Sequence, residues 1–167
     1  MSARPSFASF ALALAIAACA KPAEQAAAPP AVDSAAVQAA VADLWQRWIV
    51  ADTAGNVAAL VEMVGDSARL DLQGMPVMVG RAAWKQMAEA GYKTTKYTSM
   101  TITPDLTVPV SNELAYQNGN FTEGATTGGK QTMNYGRYAS AVRKDADGQW
   151  RIAYIMVLSD SIVPVKK

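Results

Sequence analysis

The stretch QTMNYGRYASAVRKDADGQWRIAYIMVLS, Gln131 to Ser159, joins two long β-rich runs through an Asp-Gly turn. A four-residue loop from Asp145 to Gly148 sets Lys144 opposite Gln149 and Val142 opposite Arg151. Ser140 then faces Ala153, and Tyr138 faces Ile155. The other side carries Arg143 with Trp150, Ala141 with Ile152, Ala139 with Tyr154, and Arg137 with Met156. Both sides are substantially apolar, so both must be buried. One covers the chain's own helices; the other is expected to meet a second copy of the protein. Arg143 over Trp150 would add a cation–π contact of about 0.5–1 kcal/mol on that outer side.

Upstream of this hairpin, β-rich runs span Tyr97 to Thr103 and Glu113 to Thr122, with a glycine-rich turn from Gly124 to Gly129. Helical patterns come earlier still. Asp33-Ser34 can cap a helix whose apolar face is Val37, Val41, Leu44, Trp45 and Trp48. Thr53 to Asn56 breaks it, and Val57 to Val64 supplies a short second helix that Gly65-Asp66 ends. Ala68 to Leu72 alternates like a strand, Gln73 to Pro76 turns, and Gly80 precedes a third helix stopped by Gly91. Helices followed by a meander of long antiparallel strands predict an α+β domain, its helices packed on one curved sheet.

The front of the chain carries different information. Arg4, an apolar run from Phe7 to Ala18, and small residues ahead of Cys19 form a secretory-signal pattern. Ile16-Ala-Ala-Cys19 resembles a bacterial lipobox, which implies a diacylated Cys19 as mature N-terminus after removal of residues 1–18. Residues 19–33 are the lipidated cysteine and an Ala/Pro-rich tether, leaving 34–167 as one domain. Ala20 rather than Asp after the cysteine resembles a sorting signal for the outer membrane. The expectation is therefore a periplasm-facing envelope protein held to the membrane by lipid alone.

Composition excludes several chemistries. Fifteen Lys plus Arg balance fourteen Asp plus Glu, so no basic field recruits nucleic acid. The chain has no histidine, which removes Ser-His-Asp and Cys-His machinery and His-based zinc sites. Its methionines are dispersed rather than clustered, as in ordinary packing, and neither a metal nor a cofactor is expected.

Gly80-Arg-Ala-Ala-Trp84, Gly136-Arg-Tyr138 and Asp147-Gly-Gln-Trp-Arg-Ile152 resemble the SnoaL-like branch of the nuclear transport factor 2-like superfamily over about residues 35 to 160. The resemblance implies a cone of curved sheet closed by three helices, an apolar pocket inside, and dimerisation through the outer sheet face. Ketosteroid-isomerase-like members carry a general-base Asp nine residues before the glycine that opens the third helix, and here Asp71 fills that position ahead of Gly80. Trp48 and Ser140 stand where those enzymes use a Tyr and a protonated Asp, so one of three roles matches. The histidines of dehydratase-like members are absent, and only one acid can be assigned toward the Asp-Arg-Asp set of epoxide-hydrolase-like members.

Two readings of these residues stay open. Asp71 is either a pocket acid or a solvent-facing residue between inward Leu70 and Leu72. Trp45 and Trp48 are either core or pocket wall, and a pocket in this fold is a gap in the core. The expected pocket comprises Trp45, Trp48, Tyr138, Ser140, Ala153 and Ile155, taking a small apolar ligand. With an incomplete catalytic set, a binding or accessory lipoprotein is favoured over an acid–base enzyme (isomerase, cyclase or hydrolase-like) using Asp71.

Overall fold

The computed structural model describes residues 30–165. The signal-like segment, Cys19 and most of the tether lie outside them.

Helix α1 runs Ser34–Thr53, started by the Asp33 carboxylate, which accepts from the Ala36 amide at 3.0 Å. Its apolar stripe Val37, Val41, Leu44, Trp45 and Trp48 is buried throughout. Helix α2 is Val57–Glu62, capped by Asn56. It ends two residues sooner than its pattern predicts, because Val64 already pairs with a strand. Strand β1 is Val64–Leu72 and β2 is Met78–Val79. Helix α3 is Arg81–Tyr92. It passes through Gly91, whose φ is not in the left-handed region that would end a helix there.

Strands β3 (Thr95–Ser111), β4 (Leu114–Thr127), β5 (Lys130–Lys144) and β6 (Trp150–Pro164) form an antiparallel meander. The sheet order is β2-β1-β6-β5-β4-β3, with β1 parallel to β6. All four long strands outrun the expected ones. β3 continues through Pro104 and Pro109 because it is an edge strand, where a missing N–H is tolerated. β4 runs through Gly124 as far as the Gly128-Gly129 turn, where both residues have positive φ.

The β5–β6 register corrects the expected hairpin. Lys144 pairs with Trp150, Arg143 with Arg151 and Val142 with Ile152; after a bulge at Ala153, Ala141 pairs with Tyr154 and Ser140 with Ile155. The loop is one residue longer than predicted: the Asp145 amide donates to the Gln149 carbonyl at 2.9 Å, and the bulge adds a second shift. Ile152 therefore lies inward with Val142, both fully buried in the core, rather than on the outer face. Arg143 pairs with Asp145 at 3.1 Å, in place of the expected contact with Trp150.

Leu44, Leu60, Leu70, Val64, Val142 and Ile152 are the packed centre between helices and sheet. The opposite sheet face stays open, with Leu106 and Val108 of β3 and Tyr116 of β4 exposed.

Candidate functional site

Between α1, α3 and the concave sheet face the core does not close, leaving a cavity of about 250 Å³. Helical spacing sets one wall. Trp45, Trp48 and Asp52 stand at i, i+3 and i+7 on α1, and Trp84, Ala88, Gly91 and Tyr92 follow the same stripe on α3. Sheet alternation sets the other: Phe121 and Glu123 on β4, Asn134 and Tyr138 on β5, Ile155 and Val157 on β6. Trp48 packs on Trp84 with ring centroids 5.5 Å apart, Trp45 on Tyr138 at 5.6 Å, and Tyr92 on Tyr97 at 4.9 Å.

Gly136 makes the concavity possible. A Cβ there would stand 2.2 Å from the Leu158 carbonyl oxygen and 2.6 Å from the Phe121 ring, which packs directly over the bare backbone.

The carboxyl groups of the cavity are Asp52 and Glu123. Asp52 is buried, and its Oδ1 accepts from the Tyr92 hydroxyl. Burial pushes its carboxyl above the ordinary range, and the Tyr92 bond partly opposes this. Glu123, cross-strand neighbour of Asn134, is pushed up to about 7, first by burial and then by the charge of Asp52, against a hydrogen bond from Asn134. Burial likewise raises Tyr97 to about 12. Tyr138 donates to Gln117 Oε1 at 2.8 Å, and Gln117 donates on to Thr107 at 2.7 Å.

Among the described residues four buried polar side-chain atoms have no hydrogen-bond partner: Trp45 Nε1, Trp84 Nε1, Asp52 Oδ2 and Asn134 Oδ1. All four belong to residues that line this cavity. Leaving a buried polar atom unpaired costs roughly 1–3 kcal/mol.

Of the expected pocket residues, Trp45, Trp48, Tyr138 and Ile155 lie along the cavity. Ser140 and Ala153 do not. The Ser140 hydroxyl is buried in the sheet, donating to the Gln117 carbonyl at 3.3 Å, and Ala153 is the bulge residue. Asp71 does not line the cavity either. Leu70 and Leu72 do, so strand alternation sends Asp71 to the other face, level with Met156. The acids inside are Asp52 and Glu123. Asp52 had a readable signal, since it continues the Trp45–Trp48 stripe of α1 by one turn. Glu123 lies just past Thr122, where the β pattern had been ended.

A curved sheet closed by helices over one small cavity is the architecture of nuclear transport factor 2-like proteins. Residues 33–155 match the SnoaL-like domain family, and the chain belongs to it. No match was found among curated proteins. Similar solved structures include a ketosteroid isomerase-like protein of Erwinia carotovora atroseptica, 19% identical with a TM-score of 0.66, covering 74% of this chain and 95% of that one. A conserved protein of Planctomyces limnophilus is 20% identical with a TM-score of 0.67, over 78% and 99%. The hexachlorocyclohexane dehydrochlorinase of Novosphingobium barchaimii is 16% identical with a TM-score of 0.68, over 78% and 91%. At such identities the likeness is one of fold.

Proposed function

We propose that this SnoaL-like domain binds a small, mostly apolar molecule carrying polar groups, in the cavity between α1, α3 and the sheet. The observation that supports this reading is the gathering of all four unpartnered buried polar atoms on residues of one aromatic-walled cavity. The apolar body of a ligand replaces water against the tryptophans, and its polar groups answer the two indole N–H donors and the acceptors on Asp52 and Asn134. In this reading Cys19 carries the lipid that holds the protein at the periplasmic side of the envelope, and the open sheet face around Tyr116 meets a second copy.

A second reading follows from Asp52 itself. A buried carboxyl with one oxygen on the Tyr92 hydroxyl and the other unpartnered is a group able to take a proton from a bound substrate, with Glu123 as a second acid. That reading makes the protein an acid–base enzyme with Asp52, not Asp71, as its base.

Native mass spectrometry of protein taken from its own membranes tests the binding reading. A small-molecule adduct is expected on the wild type and not on Gly91→Trp. Gly91 lines the cavity, and a Cβ there meets no atom within 4 Å, so a bulky side chain can start there without a backbone clash. Wild-type protein without any adduct, whose melting temperature no aromatic compound shifts, refutes the reading. Asp52→Asn separates the two versions: an enzyme loses turnover while retaining the ligand. Cys19→Ser should release the protein from salt-washed membranes.

A further inference from the structure

The charge inside the cavity is of one sign. Asp52 and Glu123 line it, no lysine or arginine does, and neither acid enters an ion pair among the described residues. Two carboxyl groups sharing an apolar space cannot both be charged without a counter-ion, since each repels the other and neither keeps its full hydration. Two acceptors of the cavity also lack a donor. Asp52 Oδ2 and Asn134 Oδ1 have no donor, and the Glu123 carboxylate stands across the strand pair from Asn134. Aromatic rings line the same cavity: Tyr92 and Tyr97 pack at a tilt with centroids 4.9 Å apart, and Trp48 and Trp84 at 5.5 Å. Ring faces attract cations, more so when water is excluded.

Resting on the binding reading above, we propose that the ligand is an organic ammonium ion, a protonated amine on an aromatic or aliphatic body. Its N–H groups answer the acceptors on Asp52, Glu123 and Asn134, and its charge allows both acids to ionise. The tryptophan-lined remainder of the cavity takes the apolar body. A neutral ligand would bring the two acids no counter-charge.

Naphthylmethylamine and its uncharged counterpart naphthylmethanol test this, by calorimetry and thermal shift on the purified full-length protein. The amine stays protonated through about pH 8, so any gain in its affinity over that range reports the protein. The groups facing Glu123 are Asp52 from α1, Tyr92 from α3, Tyr97 from β3 and Asn134 from β5. Neither tyrosine titrates below pH 8, leaving the two acids. With Glu123 half-titrated near 7, amine affinity should rise about tenfold between pH 6 and pH 8, and alcohol affinity should stay flat. Glu123→Gln should remove that rise; if it fails to fold, Asp52→Asn, which removes a charge that helps hold Glu123 up, should move the rise to lower pH. Equal affinity for amine and alcohol at both pH values overturns the cation proposal and leaves the cavity reading standing. Binding of neither compound, at concentrations up to about 10 mM where even small fragments saturate a fitting site, overturns both.

Discussion

Glu123 shows how one side chain can serve a site at the expense of the fold. Its folded-state pKa rises from an ordinary 4.5 to about 7, chiefly through burial. Below the lower value it is protonated whether folded or not and has no effect. Above the higher value it is charged in both states and the folded state bears the desolvation, so its contribution falls as pH rises between the two. Glu123→Gln should leave stability near pH 4.5 unchanged and raise it at pH 8 by on the order of 2 kcal/mol, read from urea denaturation at the two pH values. A variant less stable than wild type at pH 8 would mean that the carboxylate is held by contacts stronger than its burial. Arg151, Gly80 and Arg81 of the family-like motifs behave in the opposite way. Arg151 is buried and donates to the Glu62 carbonyl at 2.9 Å and to both Asp147 oxygens at 2.8 and 2.7 Å, fastening the β5–β6 loop to the end of α2. Gly80 holds φ +87°, and Arg81 behind it donates to the Val64 carbonyl at 2.8 Å. These residues build the frame, whereas Trp84 and Tyr138 of the same motifs line the cavity.

Elements place the site by their periods. α1 and α3 each turn a stripe of large side chains toward the sheet, and the cavity is the space that these stripes do not fill. Gly91 is the clearest case. It lies in α3 with helical φ, lines the cavity, and leaves open space where a side chain could be. Gly91→Ala should stabilise the domain by about 0.5 kcal/mol, less than a mid-helix exchange because it stands in the last turn. The urea midpoint should rise with an unchanged slope; a fall would show that the bare backbone at Gly91 is needed for packing. Strand β3 shows how an edge position alters local rules, since two prolines that would interrupt a central strand are accommodated where no neighbour needs their N–H.

At the scale of the whole molecule, one face of the sheet is covered by helices and the other is bare. Leu106 at 55% exposed, Val108 at 42% and Tyr116 at 53% sit on that bare face beside Tyr154 and Ala139. An apolar face of this kind favours self-association. Tyr116→Asp should shift the protein from dimer to monomer in sedimentation velocity without lowering its melting temperature, because Tyr116 is outside the core. A wild type already monomeric at tens of micromolar, a concentration where weak dimers form, contradicts the pairing. Ile152 is the wrong place for that test. It is fully buried beside Val142, and a charge there would unfold the domain.

The sequence by itself determined the class of fold and the helix faces. Hydrophobic period and turn residues are local, and Val37 to Trp48 or Asp147-Gly148 state them within a few positions. It also indicated four of the cavity's wall residues, since large apolar side chains on inward stripes lie next to any gap in the core. Only the tertiary structure decided which strand acid is inside. A one-residue difference in loop length and a bulge at Ala153 change which side chains share a face of β6, and neither leaves a trace in composition. Asp71, between Leu70 and Leu72, and Glu123, between Thr122 and Gly124, are each a single acid on a strand. What separates them is the face each strand turns to the helices, and that is fixed by pairing with residues far away in the chain.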